Sequence, residues 1–259
     1  MPFSLRNKTV FITGASSGIG EACAFAFAAL GARLLLCARR VDRLSDVAER
    51  VAQQHGVAIH LLELDVSDSG VVSQVLGSLP EEWRTIDVLV NNAGFAKGFE
   101  PIPQGRIVEW EEMIDTNLKG LLYITRCIVP RMLELDSGHV INLGSIAGDE
   151  VYPNGVVYCA SKAAVDAISR GLRMDIVGSG VRVTNIKPGM VETEFSATRF
   201  RGDRDRADKV YEGVSPLTAD DVADAVVYAA TRPSHVNIDE ITMKPVAQAT
   251  TTLVGRKPS

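Results

Sequence analysis

An α/β fold with one parallel sheet, covered by helices on both faces, is the architecture that this sequence predicts. Short apolar runs rich in β-branched residues alternate along the chain with longer helical patterns. The apolar runs are nearly continuous, as in strands that are buried on both faces of a parallel sheet. Glycine or polar residues directly follow most of these runs, at the edge where such sheets bind ligands.

The first predicted unit covers residues 8–30. Residues 8–13 form an apolar, β-branched strand, residues 14–20 a glycine-rich loop, and residues 21–30 a helix of small side chains. Glycine permits a tight turn and a close approach of the backbone to a pyrophosphate, while the helix N-terminus offers free amides. An ordinary glycine-rich turn is the alternative to a phosphate site. The predicted contacts are Gly14, Ser16, Ser17, Gly18, Ile19 and Gly20.

Strand and helix patterns then alternate to the end of the chain. The further strands are predicted at 33–37, 58–64, 87–90, 139–143, 181–186 and 240–243. The further helices are predicted at 41–54, from 67 to 79, and at 107–136, 156–177 and 219–230. The long pattern has weak points at Gly120 and Pro130, and the charged stretch after Gly189 is predicted to be irregular. Right-handed crossovers between these units give the doubly wound Rossmann arrangement, in a single domain over residues 1–259.

Composition and charge exclude several classes of protein. With 46% hydrophobic and 23% charged residues, the chain is predicted to be globular. Its formal net charge of −5 does not favour nucleic-acid binding. The N-terminal segment 1–8 lacks the apolar core of a signal peptide. The most apolar stretch, residues 22–36, is interrupted by Gly31 and Arg33 and is too short to span a membrane, so no membrane association is predicted.

The distribution of cysteine and histidine predicts a reducing, cytoplasmic compartment and no metal site. The four cysteines lie inside predicted elements without Cys-x-x-Cys spacing, which is typical of buried free thiols. The four histidines are scattered along the chain. These residues are Cys23, Cys37, Cys127, Cys159, His55, His60, His139 and His235.

Tyr158 and Lys162 are the candidates for acid–base chemistry. They lie four residues apart in a predicted helix, so their side chains share a face. A neighbouring cation favours a phenolate, and lowering a pKa of about 10 to about 7 requires about 4 kcal/mol. The same spacing occurs by chance on many helices. The pair gains weight from the upstream glycine loop and from Ser145, thirteen residues before Tyr158.

Together, these motifs resemble those of the short-chain dehydrogenase/reductase family. The resemblance rests on Thr13-Gly14-x-x-x-Gly18-x-Gly20, Asn91-Asn92-Ala93-Gly94, Asn117, Ser145, Tyr158-x-x-x-Lys162 and Pro188-Gly189, in this order. Residues 95–101, 113–117, 193–196, 199–203 and 235–238 further resemble the NADP-dependent 3-hydroxy acid (serine, allo-threonine) dehydrogenases. The resemblance implies an enzyme that oxidises the 3-hydroxyl of small hydroxy or amino acids, or catalyses the reverse reduction, and that forms a homotetramer.

The resemblance also implies roles for the catalytic residues. Tyr158 is expected to be the general base in alcohol oxidation and the general acid in carbonyl reduction. Lys162 is expected to lower the pKa of Tyr158 and to hold the nicotinamide ribose, and Ser145 to bond the substrate oxygen. A turn-capping serine is the alternative for Ser145. Asn117 is expected to hold a water molecule in a proton relay through Lys162.

The cofactor is expected to be NADP. The second predicted strand leads into Arg39 and Arg40, without the acid that binds the ribose hydroxyls in NAD-dependent members. Guanidinium groups can bind a 2′-phosphate through charge-assisted hydrogen bonds, and a solvated arginine cluster is the alternative. The resemblance implies further contacts from Asp65 and Val66 to adenine, from Asn91 to the adenosine, and from Pro188, Gly189 and Thr193 to the nicotinamide or pyrophosphate.

The substrate is expected to be a small molecule with a carboxylate, which requires a cation. Arg199 and Arg201 are the candidates, because the segment after the sixth strand covers the substrate in this fold. A solvated loop is the alternative for that charged run. Glu100 and Glu150 are the candidates for contact with a substrate ammonium group.

Two other functions are compatible with the predicted fold. The first is a broad carbonyl or 3-ketoacyl reductase that uses the same catalytic centre. The second is an NADP-sensing regulator without turnover. The complete serine, tyrosine and lysine set argues against the regulator.

Overall fold

Seven parallel strands form one sheet in the computed structural model, which describes residues 4–257. Residues 1–3, the start of the segment that lacks a signal-peptide pattern, lie outside the described residues. The strands are β1 (Thr9–Thr13), β2 (Arg33–Ala38), β3 (Ile59–Glu63), β4 (Val88–Asn91), β5 (Gly138–Leu143), β6 (Val181–Pro188) and β7 (Glu240–Met243). Their order in the sheet is β3-β2-β1-β4-β5-β6-β7.

Helices cover both faces of this sheet. They are α1 (Gly18–Ala29), α2 (Val41–His55), α3 (Ser69–Gly77), α4 (Ile107–Ile114), α5 (Leu121–Glu134), α6 (Val156–Asp175), α7 (Phe195–Arg199), α8 (Arg204–Lys209) and α9 (Ala219–Ala230). One apolar cluster joins α1, α2 and α9 to the sheet, and a second joins α3 and α5 to its opposite face. No helix within residues 4–257 is long and apolar enough to cross a membrane.

The strand order confirms the predicted doubly wound Rossmann arrangement. The chain builds the sheet outward from β1 to β3, then returns to place β4 on the other side of β1. The order therefore reverses between β1 and β4. Ligands of such sheets bind beyond the carboxyl ends of the strands at this reversal.

The ends of the predicted elements agree closely with the structure, and one segment differs. The predictions at 219–230 and 240–243 coincide with α9 and β7. The charged stretch after Gly189 is not wholly irregular, because it contains the short helices α7 and α8. Asp203 stabilises the start of α8, since its side chain accepts a hydrogen bond from the Arg206 backbone at 3.1 Å.

The long helical pattern at 107–136 is divided by a π-helical segment over Asp115–Gly120, between α4 and α5. A Cβ on Gly120 would lie 2.7 Å from Val66 Cγ2, so close packing requires glycine at this weak point. Pro130 does not interrupt α5. Its ring lies on the exposed face, where water can bond the carbonyl that loses its helical partner.

Short side chains set the distance between α1 and α9, which pack against each other. Buried alanines supply this contact, including Ala24 and Ala28 on α1 and Ala223 on α9. The close packing fixes the helix that begins at the glycine loop. All four cysteines are free thiols, as predicted, and three of them are buried while Cys127 is half-buried.

Candidate active site

A cleft of about 420 Å³ lies beyond the carboxyl ends of β1, β4, β5 and β6. Most of the predicted site residues line it. They are Gly14, Ser16, Ser17, Gly18, Ile19, Arg39, Arg40, Asp65, Val66, Ser145, Tyr158, Lys162, Pro188, Gly189 and Thr193. Seven predicted residues are not among its lining residues, namely Gly20, Asn91, Glu100, Asn117, Glu150, Arg199 and Arg201.

The glycine loop packs tightly against the loop that follows β4. Gly14 and Gly18 have φ values of 65° and 57°, which glycine adopts without strain. A Cβ on Gly14 would lie 2.9 Å from Ala93 Cα, and a Cβ on Gly20 would collide with the Gly14 carbonyl oxygen. The Ser17 side chain does not cap α1. The loop therefore presents bare backbone and a helix N-terminus to the cleft, which fits a pyrophosphate.

Thr13 and Asn92 join these two loops, a role that the sequence analysis did not assign. Thr13 Oγ1 accepts hydrogen bonds from the backbone amides of Asn92 at 3.0 Å and Ala93 at 2.9 Å. Asn92 Nδ2 donates in return to the carbonyl oxygens of Thr13 at 2.8 Å and Gly14 at 3.1 Å. Both residues belong to the quoted motifs. The motifs therefore pointed to these residues but did not identify their hydrogen-bond partners.

Arginine side chains occupy one end of the cleft. Arg40 Nη2 donates to Ser17 Oγ at 2.7 Å and to Ser16 Oγ at 3.3 Å. Arg39 Nη1 lies 3.5 Å from Asp65 Oδ2, in an exposed ion pair. Guanidinium groups beside two hydroxyls and a glycine loop suit a phosphate on the adenosine ribose.

Glu194 and Arg43 also lie at this end, and the sequence analysis missed both. Arg40 Nη1 donates to Glu194 Oε2 at 3.1 Å, and Arg43 Nη1 donates to both Glu194 carboxylate oxygens at 2.7 Å. The hydrogen bonds from Arg43, together with that from Arg40, lower the pKa of Glu194 despite partial burial. Arg43 and Glu194 are 151 positions apart, so no local pattern predicts the contact.

Tyr158 and Lys162 lie on α6 with their side chains at the cleft, and both residues are buried. Lys162 Nζ lies 5.9 Å from the centre of the Tyr158 ring and donates to the Leu143 carbonyl oxygen at 2.7 Å. Ser145 Oγ accepts from the Ala147 amide at 3.1 Å, so Ser145 does cap a turn. Its hydroxyl donates to the Pro188 carbonyl oxygen at 3.4 Å and lies close enough to Tyr158 to lower the pKa of the phenol. The capping contact and the contact with Tyr158 therefore coexist.

The electrostatics of this group differ from the expectation. Burial raises the pKa of the Tyr158 phenol, and Arg199 and the Ser145 hydroxyl oppose this increase without cancelling it. The cation that opposes burial is thus Arg199, whereas Lys162 was expected to lower this pKa. Burial lowers the pKa of Lys162 to about 8, because its ammonium group is removed from water and bonds only a backbone carbonyl in the described structure.

Asn117 lies in the π-helical segment, behind the cleft. Its Nδ2 donates to the Phe95 carbonyl oxygen at 2.8 Å and to Ser161 Oγ at 3.1 Å, and its Oδ1 accepts from the Phe95 amide at 2.9 Å. A Cβ on Gly94 would lie 3.1 Å from Asn117 Oδ1 and 3.6 Å from Lys162 Nζ. Asn117 therefore lies close to Lys162, and it also fixes the loop after β4.

The side chain of Asn91 is directed away from the cleft, so the predicted contact with the adenosine would have to come from its backbone. Asn91 is buried, and its Nδ2 donates to Asn142 Oδ1 at 2.9 Å and to Thr125 Oγ1 at 3.0 Å. Successive residues of a strand point to opposite faces, and Asn91 is the last residue of β4. Its side chain consequently points into the interior and binds β5 and α5.

Arg199 lies in an aromatic cluster beside Tyr158. Its guanidinium carbon is 5.2 Å from the centre of the Tyr158 ring and 5.0 Å from that of Phe195. Phe99 and Tyr152 complete the cluster, and Tyr152 accepts a hydrogen bond from Arg199. Within residues 4–257, Arg199 forms no ion pair with a carboxylate. Arg199 lines a smaller pocket that Tyr158 also lines, so its charge is directed to the surroundings of Tyr158 rather than to the main cleft.

Arg201 is already paired with carboxylates of the chain. It donates to Glu109 at 2.7 and 2.8 Å and to Glu100 at 2.8 and 3.1 Å. Two carboxylates of the chain occupy the donors of Arg201, so a substrate carboxylate would have to compete with both of them. The same ion pairs occupy Glu100, and Glu150 accepts from the Thr251 amide at 2.8 Å. Glu100 is thus paired with a cation of the chain, whereas Glu150 accepts only this one backbone hydrogen bond among the described residues.

Comparisons with known proteins place this arrangement in a family. The model of the short chain dehydrogenases matches residues 8–204. The NADP-dependent 3-hydroxy acid dehydrogenase YdfG of Salmonella typhi is 45% identical over 241 residues, 93% of this chain and 96% of that protein. Sulfoacetaldehyde reductase 2 of Chromohalobacter salexigens is 44% identical over 93% of this chain and 95% of that protein.

A solved structure, the closed form of serine dehydrogenase complexed with NADP+, superposes with a TM-score of 0.90 at 43% identity. The match covers 96% of this chain and 100% of that chain. Within the described residues, no three potential metal ligands cluster together. The range matched by the family model contains the glycine loop, Ser145, Tyr158 and Lys162, and the chain therefore belongs to the short-chain dehydrogenase family.

Proposed function

We propose that this chain is an NADP-dependent oxidoreductase of small 3-hydroxy acids, of the serine, allo-threonine, 3-hydroxyisobutyrate and 3-hydroxypropionate type, acting in oxidation or in the reverse reduction. One observation carries the proposal. The Arg199 cation lies beside Tyr158 and has no carboxylate partner within residues 4–257. An alcohol that also carries a carboxylate matches both groups. The relative named as a 3-hydroxy acid dehydrogenase and the solved serine dehydrogenase agree with this substrate class.

The proposed chemistry is proton transfer at Tyr158 Oη together with hydride transfer at the substrate carbon. In oxidation, the Tyr158 phenolate takes the proton of the substrate hydroxyl. The hydride leaves the carbon that bears this hydroxyl, and the C–OH group becomes a carbonyl. In reduction, the phenol returns that proton to the carbonyl oxygen. Ser145 orients the substrate oxygen, while Lys162 and Asn117 provide the proposed proton relay. NADP supplies the hydride acceptor or donor and, when oxidised, a cationic ring that favours the phenolate.

The arginine end of the cleft supports NADP over NAD. In this chain β2 ends at Ala38 and leads into Arg39 and Arg40. No acidic residue therefore follows the strand directly, at the position where its carboxylate would repel a 2′-phosphate. Arg40 already bonds the hydroxyls of Ser16 and Ser17 beside the glycine loop. A phosphate placed there would meet donors from two chain segments. Relatives named as NADP-dependent agree with this assignment.

A substrate panel tests the proposed function. We expect NADPH formation with L-serine, L-allo-threonine, 3-hydroxyisobutyrate or 3-hydroxypropionate, followed by absorbance. Failure with all four, together with rapid reduction of neutral aldehydes or diketones, would replace the proposal by a broad carbonyl reductase. A protein that binds NADP and turns over none of these compounds would be a non-catalytic sensor.

Replacing Arg199 tests the carboxylate contact. Arg199→Met should lower kcat/KM for the best 3-hydroxy acid about 10- to 100-fold, because a charged hydrogen bond contributes about 1.5–3 kcal/mol. The ratio to kcat/KM for a neutral alcohol of similar size is the readout, since Arg199 also influences Tyr158. Arg206→Met is the matched control, because the Arg206 guanidinium packs on Phe200. An equal loss with both substrates would contradict the proposed contact.

Reduction of a short aldehyde that carries a sulfonate is the second candidate function. The unpaired Arg199 cation suits a sulfonate as well as a carboxylate. One relative at 44% identity is named sulfoacetaldehyde reductase 2. Reduction of sulfoacetaldehyde and of the short aldehyde that carries a carboxylate, each followed by consumption of NADPH, separates the two candidates, because kcat/KM in one direction then compares sulfonate with carboxylate.

A cytoplasmic location and a homotetramer complete the proposal. The free cysteines, three of them buried, fit a reducing compartment. Exposed apolar side chains fit an assembly, among them Ile107 on α4, which is 67% exposed, and Met174 on α6, which is 75% exposed. Light scattering should give a mass near that of four chains, and the mass of one chain would contradict the assembly.

A further inference from the structure

The arginine end of the cleft already contains an anion from the chain itself. Glu194 follows Thr193 directly and lines the cleft together with Arg40, Ser16 and Ser17. Its carboxylate bridges Arg40 and Arg43 through three hydrogen bonds of 2.7–3.1 Å. Arg40 uses its other terminal nitrogen for the two serine hydroxyls.

This arrangement matches what a phosphate would need at the same place. A carboxylate and a phosphate are both anions that bind guanidinium groups through paired oxygens. The Glu194 side chain is 53% exposed and the Arg40 side chain 47%, so solvent can reach the bridge and a ligand can displace it. A second anion brought to Arg40 would either replace Glu194 or be repelled by it.

We propose that Glu194 competes with the cofactor 2′-phosphate for the same arginine site. Glu194 thereby influences the ratio of the affinities for nucleotides with and without a 2′-phosphate. A nucleotide without a 2′-phosphate leaves the bridge intact. A nucleotide with it must break the contact of Glu194 with Arg40 on binding. The inference rests on the proposed NADP dependence for the identity of the anion.

Glu194 is also connected, through the helix that follows it, to the residues that contact Tyr158. Glu194 immediately precedes α7, whose Phe195 packs edge-on against the Tyr158 ring, with 5.4 Å between the ring centres. The same short helix ends at Arg199, the candidate carboxylate contact. Breaking the contact with Arg40 leaves Glu194 bonded to Arg43 alone, and it thereby loosens the start of the helix that carries two of the contacts of Tyr158.

The experiment uses equilibrium binding of two nucleotide fragments, 2′,5′-ADP and 5′-AMP, measured by calorimetry at low salt. Glu194→Gln keeps the size of the side chain and removes its charge. It should lower the Kd of 2′,5′-ADP about fivefold, as expected for an exposed charge pair coupled by up to about 1 kcal/mol. It should change the Kd of 5′-AMP by less than about twofold. The gain with 2′,5′-ADP should shrink at high salt.

Glu192→Gln is the matched control. Glu192 is an exposed acid two positions away, and its side chain is not among those that line the cleft. This variant removes the same charge and should leave both dissociation constants within about twofold. An unchanged or weaker affinity of Glu194→Gln for 2′,5′-ADP would overturn the proposed competition.

Arg40→Ala separates failure of this inference from failure of the proposed cofactor. It should weaken binding of 2′,5′-ADP at least about tenfold, since a charged hydrogen bond contributes about 1.5–3 kcal/mol. If the wild type and Arg40→Ala bound 2′,5′-ADP and 5′-AMP equally well, the NADP site itself would be wrong, and the role of Glu194 with it. If Arg40→Ala weakened 2′,5′-ADP while Glu194→Gln had no effect, only the competition would be wrong.

Discussion

Tyr158→Phe is expected to lower turnover about 10²- to 10⁴-fold, the range that general acid–base catalysis contributes. The change removes one oxygen and leaves the ring that packs against Phe195 and Arg199. No other phenol is paired with Ser145 in the described part of the chain. The proton of the substrate hydroxyl then has no acceptor at the reacting carbon, while the cleft that binds the nucleotide keeps its shape.

Two measurements distinguish this role from a structural one. The Kd for NADP should change by less than about threefold, because the binding energy comes from the glycine loop and the arginines. Tyr152→Phe is the control, since the Tyr152 hydroxyl bonds Arg199 but Tyr152 does not line the cleft. It should keep turnover within about tenfold of the wild type. Residual turnover of Tyr158→Phe similar to that of Tyr152→Phe would refute the catalytic assignment.

The parts of the fold and site that follow from local chemistry were predictable. The spacing of apolar residues predicted the bounds of α9 and β7, because the periodic spacing of apolar residues along a helix or strand is a local property of the sequence. The glycine loop was predictable for a similar reason. Tyr158 and Lys162 share a face whatever else surrounds the helix, because the period of the helix determines it.

The residues whose surroundings the sequence did not predict depend on contacts between distant segments. Arg201 looks like a free cation in the sequence, yet Glu109, 92 positions away, occupies it. Glu194 has no local signal, and its partner Arg43 lies in a different βα unit. Asn91 lies at the expected strand end, but the direction of its side chain depends on the register of β4 with β5. Tertiary packing determines which charged side chains form ion pairs, and the periodicity of the sequence does not predict it.

Lys162 illustrates how the chemistry of the site opposes stability. The residue is buried, and its ammonium group bonds the Leu143 carbonyl oxygen, with no carboxylate ion pair in the described structure. Burial lowers its pKa from 10.5 to about 8. Below pH 8 both the folded and the unfolded protein carry the charge, and the folded protein bears the cost of burying it. Between pH 8 and 10.5 the unfolded chain binds a proton that the folded chain does not, so stability rises with pH.

Lys162→Met is therefore expected to lose activity at least about 100-fold, as for loss of an acid–base partner, while its stability no longer depends on this titration. Relative to the variant, the wild type should gain about 3 kcal/mol in free energy of unfolding between pH 7 and 10.5, at about 1.36 kcal/mol per pKa unit. Denaturant unfolding of both proteins at several pH values measures the difference, in which the other titrating groups cancel. If the difference in free energy of unfolding between the two proteins stays constant or falls with pH, the pKa of Lys162 is not lowered in the folded protein.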